Sequence, residues 1–152
     1  MKRFVVPLII AALFMPACAG NRAPQLVGES GLAIAQSIGQ LQTMVKQLTD
    51  AKVITTDVAL RSQEVLLRAN DRVKQLPPLL RTIDKLQQAN ASAATPVEQA
   101  IAILQIVGQD ISVVIAGVPI GDATAKLIDL VRASQLVVQT TLEQVSRLRE
   151  EQ

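Results

Sequence analysis

From Leu32 onward, apolar residues recur at helical spacing. Ile34, Ile38, Leu41, Val45 and Leu48 step by four, three, four and three, while Gln36, Gln40, Gln42, Lys46 and Gln47 fall mostly elsewhere. That spacing draws one stripe along one side of a helix and predicts a first helix over about 31–51. A second stripe runs through Ala59, Ser62, Leu66, Ala69, Val73, Leu76, Leu80 and Ile83. Thr55-Thr56-Asp57 precedes it. A Thr cap with an acid in the following turn marks a helix start. The join from Lys52 to Thr56 is short, so the first two helices are expected to form an antiparallel hairpin.

Pro77-Pro78 interrupts the second stripe without shifting its phase. A proline in a helix interior removes a donor and clashes backward, at about 3 kcal/mol, and it pushes the preceding residue out of helical geometry. The expectation is a kink or brief break at Leu76, with both halves burying the same side.

Asn90–Ala94 is a run of small and polar residues, followed by Thr95-Pro96-Val97-Glu98. Thr at the cap, Pro at the first helical position and Glu three residues beyond the cap form a capping box. A third helix is therefore predicted over about 96–116. Its apolar residues, among them Ile101, Leu104, Ile106, Val107, Ile111 and Val113, spread widely around it. That spread predicts the buried central helix of a bundle. The segment is also the one most suited to a bilayer, but Glu98, Gln105, Gln109 and Ser112 line one side. Asp110 near its centre would cost about 2.5–3.5 kcal/mol on an insertion scale.

Gly117-Val118-Pro119-Ile120-Gly121 reads as a turn, with Asp122 as the cap of a fourth helix. Leu127, Val131, Val138, Val145 and Leu148 form its stripe, which ends in a polar tail from Arg147 to Glu151. Four helices with short joins predict an all-α, up-down-up-down four-helix bundle with a Pro-Pro kink in the second helix.

The first twenty residues, MKRFVVPLIIAALFMPACAG, follow another pattern. Lys2 and Arg3 precede an apolar run from Phe4 to Met15, and small residues follow at Ala17, Cys18, Ala19 and Gly20. This is the layout of an export signal, too short for an ordinary spanning helix. The single cysteine of the chain closes the run. With Met15-Pro16-Ala17-Cys18, the segment resembles a bacterial lipoprotein signal, though Met15 stands where that class usually has Leu and Pro16 is uncommon beside it. The resemblance covers residues 1–20 and implies a diacylated Cys18, bearing chains such as palmitate, as the new N-terminus. Ala17-Cys18-Ala19 also fits ordinary cleavage after Ala19, which would release a secreted or periplasmic soluble protein. An uncleaved anchor is the third alternative. Asn21–Gly31 (NRAPQLVGESG) carries two glycines and a proline and reads as a flexible tether. The expected organisation is a signal peptide at 1–17, a lipidated N-terminus and tether at 18–31, and a helical bundle domain at 32–152.

Composition narrows the chemistry. The chain is 152 residues long and 49% hydrophobic, with no His, Trp or Tyr. Its two Phe, Phe4 and Phe14, lie in the leader, so nothing after Cys18 carries a ring. Stacking platforms and cation cages need aromatic faces, and there is no imidazole base or ligand. Of the net charge of +2, Lys2 and Arg3 supply both units; the 15 − 2 = 13 remaining basic residues balance 13 acidic ones. That balance gives no electrostatic footprint for nucleic acid. One cysteine excludes an intramolecular disulfide.

Other motifs carry ordinary readings. Gly28-Glu29-Ser30-Gly31 lacks the Lys-Ser/Thr end of a phosphate-binding loop. Asn90-Ala91-Ser92 is a sequon by chance. Asp110 is expected at the rim of the apolar surface or paired with an Arg. Arg61, Arg68, Arg72, Arg81 and Lys85 give the second helix a basic side, interleaved with Asp57, Asp71 and Asp84 and paired locally by Glu64 and Arg68. Such a side serves as a solvated face or as a contact for anionic headgroups.

The expectation for function is a non-enzymatic, membrane-anchored lipoprotein of the cell envelope, facing the periplasm and acting as a structural or protein-interaction module. Cys18 is the lipid attachment residue; no catalytic residue, cofactor or metal is expected. Its partners would be the membrane, through the anchor, and another protein or a second copy, through heptad stripes. The alternatives are a membrane-active pore or lysis protein and a carrier of an apolar ligand.

Overall fold

The computed structural model describes residues 23–150. Five helices follow one another: α1 (Ala23–Asp50), α2 (Thr56–Val73), α3 (Leu76–Gln88), α4 (Ala94–Val113) and α5 (Asp122–Glu150). Both α2 and α3 pack against α1 and α4, so they act as one column interrupted between Val73 and Leu76. The other two sides of the square are α1 against α5 and α4 against α5. The fold is an all-α, up-down-up-down bundle of four columns.

The predicted stripes are the core. Ile34, Ile38, Leu41, Val45 and Leu48 of α1 are buried, as are Leu66, Ala69, Val73, Leu76, Leu80 and Ile83 across the α2–α3 break. In α4 the buried line is Val97, Ala100, Leu104, Val107 and Ile111, continued by Val114 and Val118. In α5, Leu127, Val131, Val138, Val145 and Leu148 are buried together with Thr124, Ser134 and Thr141. All four columns therefore present a narrow seam stepping by three and four, the geometry of knobs-into-holes packing. The buried hydroxyls in α5 are satisfied by backbone carbonyls: Ser134 Oγ donates to Leu130 O at 2.8 Å and Thr141 Oγ1 to Val137 O at 2.8 Å.

The break between α2 and α3 places both prolines in the first turn of α3. There the backbone N–H groups have no intrahelical partner to lose, so the prolines start a helix rather than deform one. Thr55 caps α2 as expected, its side chain accepting from Val58 N at 3.4 Å.

Several local expectations change. Ala23–Gly31, read as tether, is helical and belongs to α1. Pro24 falls in the first turn, where it is tolerated. Gly28 and Gly31 each cost the helix about 1 kcal/mol relative to Ala, and contact with α5 offsets this: Ser30 Oγ donates to Gln144 Oε1 at 3.2 Å. The capping box at Thr95 does not set the start of α4. Its N-cap is Ala93, and Ala94 N donates to Ser92 Oγ at 3.4 Å. Ala93 is fully buried and continues the inner seam, so starting earlier keeps it in the core. Asp122 is the first residue of α5 rather than its cap; Gly121 N donates to Thr124 Oγ1 at 3.2 Å.

Helix α4 is not a buried central helix. Ile106 and Val113 are exposed, because α4 occupies one corner of the square and touches neighbours on one side only.

Three residues close the turns in the left-handed region. Lys52 (φ 56°) follows α1, Asn90 (φ 50°) follows α3 and Gly117 (φ 79°) follows α4. Around Lys52, Val53 N donates to Leu48 O and Lys52 N to Thr49 O, both at 2.9 Å. Around Asn90, Ala91 N donates to Leu86 O at 2.8 Å and Asn90 N to Gln87 O at 3.0 Å. Both are Schellman closures, which satisfy carbonyls a helix end would otherwise leave open.

Candidate functional site

The candidate lipid-attachment residue, Cys18, lies outside the described residues, as do Met15, Pro16 and Ala17. Along the sequence, α1 begins at Ala23, five positions after Cys18. α1 runs antiparallel to α5, as the Ser30–Gln144 bond shows. The start of α1 therefore stands at the same end of the bundle as the last turns of α5 and the α3–α4 turn.

Gly28-Glu29-Ser30-Gly31 lies within α1 as helix, not as a loop with its amides turned toward a ligand. Asp110, a candidate for a perturbed carboxylate, pairs with Arg72 across the α2–α4 contact. The Asp110 side chain is 16% exposed and that of Arg72 33%. This is the Arg partner foreseen for a carboxylate beside apolar surface, and it makes the pair a bridge between columns.

The rest of the basic side of α2 is held locally. Arg68 Nη1 lies 3.9 Å from Glu64 Oε1, both well exposed. Lys74 Nζ donates to Asp71 Oδ1 at 2.8 Å, and Arg61 Nε to Asp57 O at 3.4 Å. Exposed pairs of this kind contribute little, typically less than about 1 kcal/mol.

Two contacts between columns escape a reading by pattern. Ser62, a small seam residue of α2, sends its hydroxyl to Val114 O at 3.0 Å, capping the C-terminal end of α4 from a neighbouring helix. Gln63 Nε2 donates to Gln42 O at 2.9 Å, tying α2 to α1. Ser62 is itself buried and Gln63 half-buried beside it, and nothing local in sequence names their partners.

Surface grooves follow the joins between columns. One, between α1 and α5, is lined by Gln40, Met44, Gln47, Lys126 and Leu130; another, between α3 and α4, by Pro78, Leu79, Gln99, Ala102 and Ile103. Among the described residues, no group of His, Cys, Asp and Glu is arranged to hold a metal ion. Among them too, no helix is long and apolar enough to cross a membrane. No protein family, curated protein or solved structure matches the chain.

Proposed function

We propose that the protein is a non-enzymatic lipoprotein of the cell envelope, anchored through Cys18 and facing the periplasm, where its helical bundle serves as a structural or protein-interaction module. One observation carries this reading: the only cysteine of 152 residues stands where a basic-then-apolar leader ends in small residues. The fold is consistent with the role. Its seams are filled with aliphatic side chains, and the Arg72–Asp110 pair is the one ion pair between columns among the described residues.

The test is fractionation of the full chain beside its Cys18→Ser variant. The native chain is expected with the membranes, and its intact mass should show a diacylated N-terminal cysteine. Full membrane partitioning of Cys18→Ser, or an unmodified chain that still begins at Met1, would overturn the anchor.

A further inference from the structure

We infer that α3 is a releasable strap: it leaves the bundle as a unit, between joints at Lys74-Gln75 and Ala89–Ser92, and uncovers the inner side of α4 while α1, α2, α4 and α5 stay packed. The inference rests neither on the anchor nor on the interaction role.

The two halves of the broken column are fastened differently. Three side-chain contacts tie α2 to its neighbours: Ser62 Oγ donates to Val114 O at 3.0 Å, Gln63 Nε2 to Gln42 O at 2.9 Å, and Arg72 pairs with Asp110. Among the described residues, the side-chain hydrogen bonds of α3 stay within α3. Thr82 Oγ1 donates to Pro78 O at 3.0 Å and Gln88 Nε2 to Asp84 Oδ2 at 2.9 Å. The grip of α3 on the bundle is therefore apolar, through buried Leu76, Leu80 and Ile83, whereas α2 buries seven residues besides its polar ties.

The joint isolates α3 further. A continuous helix would carry the N–H groups of positions 77 and 78 to the carbonyls of Val73 and Lys74, and proline has no N–H to give. Gln75 N turns back to Arg72 O at 3.0 Å, which closes α2 on itself. The Arg72–Asp110 pair pins that last turn of α2 to α4. Detachment of α3 thus costs α2 few of its own bonds, the condition for opening in separate cooperative units. Chain length permits it. From the level of Asp110 to the start of α4 at Ala94 is about 24 Å along the helix, and the segment from Lys74 to Ser92 reaches about 60 Å when drawn out. The groove that Leu79 and Thr82 share with Gln99, Ala102 and Ile103 sets α3 level with the buried Val97, Ala100 and Leu104.

Native-state hydrogen exchange of the full chain tests this. The amides of Leu80, Ile83 and Leu86 are expected to be protected at least about tenfold less than those of Leu66, Ala69 and Leu104, and equally with one another. Val65→Ala removes part of a buried α2 side chain and should speed the α2 amides by about tenfold. The α3 amides should keep their native rates, because α2 is packed both before and after the strap leaves. In the chain carrying Cys18→Ser, Ala100→Cys should react with a thiol reagent several-fold faster than Ala69→Cys, both being fully buried alanine positions. Equal protection of α2 and α3 would overturn the inference. So would α3 amides that speed up with those of α2 in Val65→Ala, protection that declines steadily from Leu80 to Leu86 as in end fraying, or equal labelling of the two cysteines.

Discussion

Helix α4 and the broken column α2–α3 lie side by side and bury seams of the same spacing, and both expose large aliphatic side chains, Leu60 and Leu67 on α2 and Ile106 and Val113 on α4, yet only α2–α3 carries cations on its outer side. The α2–α3 column is studded with Arg61, Arg68, Lys74, Arg81 and Lys85, interleaved with Asp57, Glu64, Asp71 and Asp84. α4 shows solvent one heptad line of aliphatic and amide side chains and no cation. The difference separates two demands on a bundle helix. Burial at three-and-four spacing decides where a column sits. The residues facing away from the core are free of that demand, so their composition reflects what the surface meets. The α2–α3 surface is charged and in part locally paired, through Glu64 with Arg68 and Asp71 with Lys74, whereas α4 shows solvent mostly small, aliphatic and amide side chains.

The first way to break this comparison is to cut both inner seams. Leu66→Ala in α2 and Leu104→Ala in α4 remove fully buried side chains of the same kind. Each is expected to cost about 2–5 kcal/mol in denaturant unfolding. A markedly smaller loss at Leu104 would mean that α4 is not an equal column.

Next comes the bridge between the two columns. A double-mutant cycle on Arg72 and Asp110 should give a coupling of about 1–2 kcal/mol, reduced from a fully buried pair because both side chains retain some exposure. The same cycle on Glu64 and Arg68 should give clearly less, since both are exposed on one helix.

The smallest effects separate the turns that end each column. Gly117, after α4, has φ 79°, where a Cβ is disfavoured. Gly117→Ala is expected to destabilise by about 1 kcal/mol. Asn90, after α3, already tolerates φ 50°, so Asn90→Gly should stabilise by only about a few tenths of a kcal/mol. Thermal unfolding of the two variants should move in opposite directions.

The inner seams were legible in the sequence because their spacing is local and uninterrupted in phase, even across Pro77-Pro78. What escaped depends on distant partners. Helix at Ala23–Gly31 is supported by α5 through Ser30 and Gln144, which stand 114 residues apart. The start of α4 is set by burial of Ala93, which outweighs the local capping signal at Thr95. The apolar breadth of α4 suggested burial on all sides, but a corner position in a square of columns buries one side only. For the candidate site, an Arg partner for Asp110 was foreseeable in kind. Its identity as Arg72, 38 residues away, is fixed by the register of α2 against α4. Cys18 lies outside the described residues, so its reading rests on the leader pattern and the single thiol alone.

The early start of α1 has a mechanical corollary. Five peptide units between Cys18 and Ala23 reach at most about 18 Å even when fully drawn out, less than half the roughly 42 Å length of a 28-residue helix. A chain held by acyl groups on Cys18 would thus keep its α3–α4 turn close to the lipid, while the Ile120 tip can stand farther off.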